Sequence, residues 1–87
     1  MAIVHVIQEN VLGCKTVAFD EHAIRRMQER KVSEDEVLDV LRNPTQTGLP
    51  TLPNRFRYRK HSSSDHWIDV IFELDPTQVV VFSVWRK

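Results

Sequence analysis

The sequence predicts an α+β domain in which two N-terminal helices pack on one face of a three- to four-stranded antiparallel meander. Two amphipathic segments that open on good capping residues, 20–30 and 33–43, supply the helices. Three extended segments separated by hairpin-length connections, 55–60, 67–72 and 79–85, supply the meander. Helices followed by a run of strands, and not alternating with them, favour segregated layers. The 87 residues are read as a single domain, 1–87, with no room for a second core.

In chain order, residues 2–7 alternate weakly and predict a short strand, with Ile3 or Val4 inward and His5 at the edge. Residues 8–15 read as a turn region around Gly13, and residues 16–19 as a second short extended piece that delivers the chain to Asp20. Asp20 is a good N-cap for the first helix. Its buried stripe is Ala23, Ile24 and Met27, and His22, Arg26 and Arg30 form a polar ridge at i, i+4, i+8. An imidazole followed one turn later by a guanidinium can move a proton and hold a phosphate. The same residues also read as ordinary helix-surface groups, the arginines pairing with Glu29 and its neighbours.

Ser33 and Glu36 make a capping box for the second helix, and Val32 can staple against Val37. Val37, Val40 and Leu41 are its buried stripe, and Asn43-Pro44 stops it. Glu34, Asp35 and Glu36 sit in the first turn, where the helix dipole favours carboxylates, so the acidic run needs no metal to explain it. Residues 45–54, with Gly48, Pro50 and Pro53, read as an ordered loop.

The next strand alternates, with Phe56 and Tyr58 on one face and Arg55, Arg57 and Arg59 on the other. Pairing it with the following strand so that Phe56 meets Val70 and Tyr58 meets Ile68 places Arg57 opposite Asp69. The expected core is Val37, Val40, Leu41, Phe56, Ile68, Val70 and Phe72, with the arginine face left open. The last strand, apolar on both faces, is expected to be central or doubly covered.

Net charge is zero, from 12 basic and 12 acidic residues, so no global field points to nucleic acid. The local balance differs, because Arg55, Arg57, Arg59 and Lys60 fall in one stretch without an anion. Either Asp69 and Glu73 neutralise this row, or it forms an open basic groove that tracks RNA phosphates, with Trp67 or Trp85 as stacking platforms. In the second case, replacing Arg57 and Arg59 by Gln is expected to weaken RNA binding with little loss of stability. Cys14 is the only cysteine, which excludes an intrachain disulfide or a cysteine metal cluster. No metal-ligand spacing or Gly-rich phosphate loop occurs, so neither metal nor cofactor is expected. His61 and His66, near a hairpin tip, are weak zinc candidates. The N-terminus lacks the form of a signal peptide and no apolar run approaches a membrane span, so a cytoplasmic protein is expected.

The pattern His-Ala-x-x-Arg-Met-x-Glu-Arg, carried by His22, Arg26, Met27 and Arg30, is followed by Ser-x-x-Glu-Val-x-x-Val-Leu-x-Asn-Pro, carried by Ser33, Glu36, Val37, Val40, Leu41, Asn43 and Pro44. With the basic strand and the closing Val-Val-Val-Phe-Ser-Val-Trp, it resembles a bacterial domain family of unknown function over roughly residues 17–86. That family is similar in layout to small ribonuclease toxins of the RelE, barnase and EndoU type. The resemblance implies metal-free RNA cleavage by attack of a ribose 2′-hydroxyl on the adjacent phosphate. His22 would be the base or acid, Arg26 and Arg57 would hold the phosphate, and Ser83 would orient it. Arg30, Arg55, Arg59, Lys60 and Trp67 would bind RNA, and His61 or His66 would supply a second proton-transfer group. The implied partners are RNA, a cognate antitoxin or immunity protein, and a second copy in a homodimer. Two other classes fit the residues: a nucleic-acid-binding module without chemistry, and a protein-interaction domain that uses an edge strand.

Overall fold

The computed structural model describes residues 2–87. Its elements are β1 (Ile3–Val11), β2 (Cys14–Asp20), α1 (Glu21–Arg30), α2 (Glu34–Arg42), β3 (Phe56–Ser63), β4 (His66–Asp75) and β5 (Gln78–Arg86). The expected small antiparallel meander is corrected to a five-stranded mixed sheet in the order β1-β2-β5-β4-β3, within an α+β fold. The meander β3-β4-β5 is present and antiparallel, but β2 adds to β5 in parallel, with Val17 opposite Val79 and Phe19 opposite Val81. Both segments are apolar on both faces, and such strands find cover only inside a sheet.

The N-terminal pieces are longer than expected because residues 8–15 are not an extended turn region. Leu12 and Gly13, at φ 52° and 80°, form a two-residue hairpin loop between Val11 and Cys14. Positive φ at both loop positions matches the right-handed twist of the flanking strands. β1 is thereby an edge strand, with Ile3 and Val4 exposed and His5 half-buried against Phe19 and bonded to Glu34. This reverses the expected inward and outward assignment. A register shift between Ile3 and His5 breaks the simple alternation.

Asp20 caps α1 by accepting the His22 backbone N–H, and Lys31 closes the helix in the left-handed region. The Ser33–Glu36 capping box of α2 forms in both directions. Ala23 and Met27 of α1 join Val37, Val40 and Leu41 of α2 in one core with Val17, Phe19, Val70, Phe72, Val79, Val81 and Val84. α2 lies against β3 and β4, and α1 lies chiefly against β5. Along β5, α1 takes up where the parallel pairing with β2 ends.

Two details of the meander are corrected. Phe56 pairs with Phe72, Tyr58 with Val70 and Arg59 with Asp69, a register two residues away from the expected one. The side-chain faces survive the change, because an even shift preserves them. Phe56 moves towards the sheet margin, where it is 41% exposed and stacks on Phe72 at 5.4 Å instead of filling the core. Ile68 is partly buried.

Candidate functional site

The sheet face away from the core carries the polar chemistry. Asp69 is fully buried there, and an unpaired carboxylate in that position would be costly. Its Oδ2 accepts from Arg57 Nε (2.9 Å), Arg57 Nη2 (2.7 Å) and Arg59 Nη2 (3.0 Å), and its Oδ1 accepts from Arg59 Nε at 2.7 Å. These bonds hold the Arg59 guanidinium above its usual pKa. The register explains why one carboxylate serves two arginines: Arg59 lies directly across from Asp69, and Arg57 reaches it diagonally. Arg55 lies 3.6 Å from Glu73 and its guanidinium sits 4.2 Å from the Phe82 ring centre. Three guanidiniums thus share two carboxylates, and the row is less free than an open basic groove would be. Replacing Arg57 and Arg59 by Gln would strand Asp69, so the expected small effect on stability is revised upward.

Beside this network lies an open cavity of about 390 Å³, where the end of β2, the start of α1, the 51–55 segment and β5 meet. His22 and Ser83 line it, with Arg55, Thr51 and Asp20 as the other polar groups and Ile71 and Phe82 as apolar wall. Ser83 reaches this position because of a β-bulge. Ile71 pairs with Ser83 and Phe72 with Val81, which leaves Phe82 as the extra residue on β5. The alternation switches there: Val79 and Val81 face the core before the bulge, and Val84 faces it afterwards. A polar residue inside an otherwise apolar strand was the sequence's only sign of it. The His22 ring is exposed, and the Asp20 carboxylate is taken up by the backbone N–H groups of Ala2 and His22, each at 2.9 Å.

The remaining expected site residues are scattered around this cavity. Arg57 is bound to Asp69 and does not line it, and Arg26 points along α1 to Glu29 at 3.5 Å. Lys60 lies on the helix-bearing face, 2.7 Å from Asp39. His61 and His66 line a different cavity, of about 460 Å³, that shares no residue with the first. His61 is bonded to Thr45 Oγ1 at 2.9 Å and His66 to Ser63 Oγ at 3.1 Å. Neither histidine is placed to pass a proton to a group held at His22. Trp67 is covered by two cations, Arg59 at 4.5 Å and Lys87 at 4.7 Å from its ring centre. Arg30 sits 3.8 Å from the ring centre of Trp85, which stays 43% exposed. Thr51, Leu52, Ile71 and Phe82 were not singled out from the sequence. Thr51 and Leu52 reach the site through the path of a loop, and Ile71 and Phe82 through strand pairing and its bulge, none of which periodicity records.

The fold and this cavity define a small α+β domain with a mixed sheet and one polar, arginine-bearing face. The chain belongs to the family described as Domain of unknown function (DUF4258), whose model matches residues 19–86. The match omits β1 and nearly all of β2, and covers both helices and the β3-β4-β5 strands. No curated protein and no solved structure matches the chain. Among the described residues, no helix is long and apolar enough to cross a membrane.

Proposed function

We propose that this chain is a small RNA-cleaving domain of the toxin type, acting without a metal ion at the cavity beside His22. The observation that carries the reading is that His22, Arg55 and Ser83, distant in sequence, line one open cavity. The chemistry needs a proton acceptor, a cation for the charged phosphorus and a group that orients the phosphate. His22 takes the proton of the 2′-hydroxyl as its oxygen attacks phosphorus. The P–O5′ bond breaks, and the leaving oxygen is protonated by the imidazolium or by water, giving a 2′,3′-cyclic phosphate and a 5′-hydroxyl. Arg55 takes over the phosphate-holding role that the resemblance suggested for Arg57, because it lines the cavity and its carboxylate partner, at 3.6 Å, is distant enough to exchange. Ser83 donates a hydrogen bond to a phosphate oxygen. Arg26, Arg30, Arg57 and Arg59 supply the positive surroundings through which the RNA backbone approaches.

The test is cleavage of a fluorescent RNA by the purified chain, with and without EDTA. EDTA should have no effect, and His22→Ala should lower the rate roughly 10²–10⁴-fold, the range of a general acid or base. Arg55→Gln should lower kcat more than it weakens binding, because it acts on charge that develops in the transition state. Absence of cleavage in any RNA, or an unchanged rate in His22→Ala, would sink the proposal.

The protein-interaction reading draws on a different feature. β1 is an edge strand with Val4 55% and Val6 49% exposed, and such edges recruit an added strand. A cognate antitoxin or immunity protein, or a second copy in a homodimer, would use this edge, and a cytoplasmic location belongs to the same proposal. Protection of β1 amides from hydrogen exchange on mixing with such a partner is the measurement that tests it.

A further inference from the structure

Trp67 and Trp85 are alike in sequence terms: each lies in a strand of the meander and each has an arginine over its ring. The structure separates them. Trp67 is half-buried, with Arg59 and Lys87 both over its ring and its indole nitrogen buried. Trp85 carries only Arg30 among these ring cations and leaves 43% of its surface open. It stands on the arginine-bearing face, across from Asp69, two residues along β5 from Ser83. Val84 between them is in the core, so Ser83 and Trp85 share the outer face. Two strand residues span roughly 6.7 Å, the scale of a single nucleotide step.

We infer that Trp85 is a stacking subsite for the unpaired base next to the phosphate held at Ser83, which makes single-stranded RNA the substrate class. This rests on the ribonuclease reading of the His22 cavity. The Arg30 guanidinium, 3.8 Å from the ring centre, covers part of the indole and adds positive charge where the strand's phosphates pass. A base can stack on the indole only if it has left its own stack. An A-form duplex keeps its bases stacked inside and offers phosphates and 2′-hydroxyls instead, so it cannot use Trp85 in this way.

Two single-tryptophan proteins test the assignment, Trp67→Phe, which reports on Trp85, and Trp85→Phe, which reports on Trp67. Each is titrated with a 2′-O-methyl single-stranded oligonucleotide, which cannot be cleaved, and with the same sequence as a duplex. The Trp85 signal should be quenched by the single strand and not by the duplex, and the Trp67 signal should respond to neither. Trp85→Ala should weaken single-strand affinity about 5- to 150-fold, and Trp85→Phe should keep most of it, since a phenyl ring still stacks. Equal quenching by duplex, quenching of Trp67 alone, or unchanged affinity in a folded Trp85→Ala overturns the inference. Cleavage by the wild type together with any of those outcomes overturns the inference while the ribonuclease reading stands. Quenching of Trp85 by the single strand without cleavage removes the ribonuclease reading and the substrate subsite with it, leaving Trp85 as a base-stacking contact only.

Discussion

The two faces of the sheet are built on opposite principles. The face under the helices is closed by aliphatic packing, with Val37, Val40, Leu41, Phe72 and Val81 essentially inaccessible to water. The other face has a small buried apolar cluster of Ala18, Val80 and Phe82, and beside it holds the buried Asp69 between two arginines. Packing is non-directional and tolerates many equivalent sequences. A buried carboxylate needs its partners at particular atoms and fails if one is removed. The helix face is therefore the source of stability, and the outer face spends some of it to hold charged groups in place beside a cavity.

The largest effect should come from putting on the helix face what the outer face tolerates. Val40→Asp buries a carboxylate with no cation prepared for it, and a loss above about 4 kcal/mol should leave the chain unfolded by circular dichroism at 25 °C. A folded Val40→Asp protein would mean that the helix layer is dispensable. Next in size is the contrast between the stacked rings Phe72 and Phe56. Phe72→Ala should cost about 3–5 kcal/mol by urea denaturation, and Phe56→Ala, at the exposed margin, about 1–2. Equal costs would contradict the observed register.

Asp69→Ala sharpens the comparison from the other side. It should cost about 3 kcal/mol, near the low end for a broken buried pair, because Arg57 and Arg59 can turn towards water. The same change removes one negative charge from beside two guanidiniums, a net gain of one positive charge, so the slope of log affinity for RNA against log salt should steepen by about one. A destabilised protein with an unchanged slope would show that this face takes no part in RNA binding. The smallest effect belongs to Lys60 and Asp39. Hydrogen bonds from Lys60 and Asn43 hold the Asp39 carboxyl below its usual 3.8. Stability from that shift is present above pH 3.8 and is lost as pH falls through the lower folded value. Both side chains are partly exposed, so Lys60→Gln should cost less than about 1 kcal/mol at pH 7, and nothing once Asp39 is protonated.

Much of the site's composition was legible in the sequence, but little of its grouping. The ridge of His22, Arg26 and Arg30 follows from helical spacing, yet of the three only His22 lines the cavity. Ser83 entered only through the family resemblance, and the bulge that turns it outward depends on how β4 pairs with β5. Arg55 was one of three equivalent arginines until the register assigned Asp69 to the other two.

By itself, the sequence determined what local interactions determine. Asp20 caps α1 and Ser33 boxes α2, because side-chain oxygens meet backbone N–H groups two or three residues away. The alternation of β3 and the antiparallel pairing of β4 with both β3 and β5 follow from side-chain period and short connections. The apolar faces of β5 left it either central or doubly covered. Tertiary structure alone decided the parallel pairing of β2 with β5, the length of the β1–β2 hairpin and the two-residue register shift. Each of these joins residues distant in sequence, and each was selected among alternatives with the same local pattern by how well whole faces packed. An even register shift leaves every side chain on its own face, so no local rule distinguishes the two pairings. Only the fit of Phe72 beneath Tyr58 and of Asp69 between two arginines does.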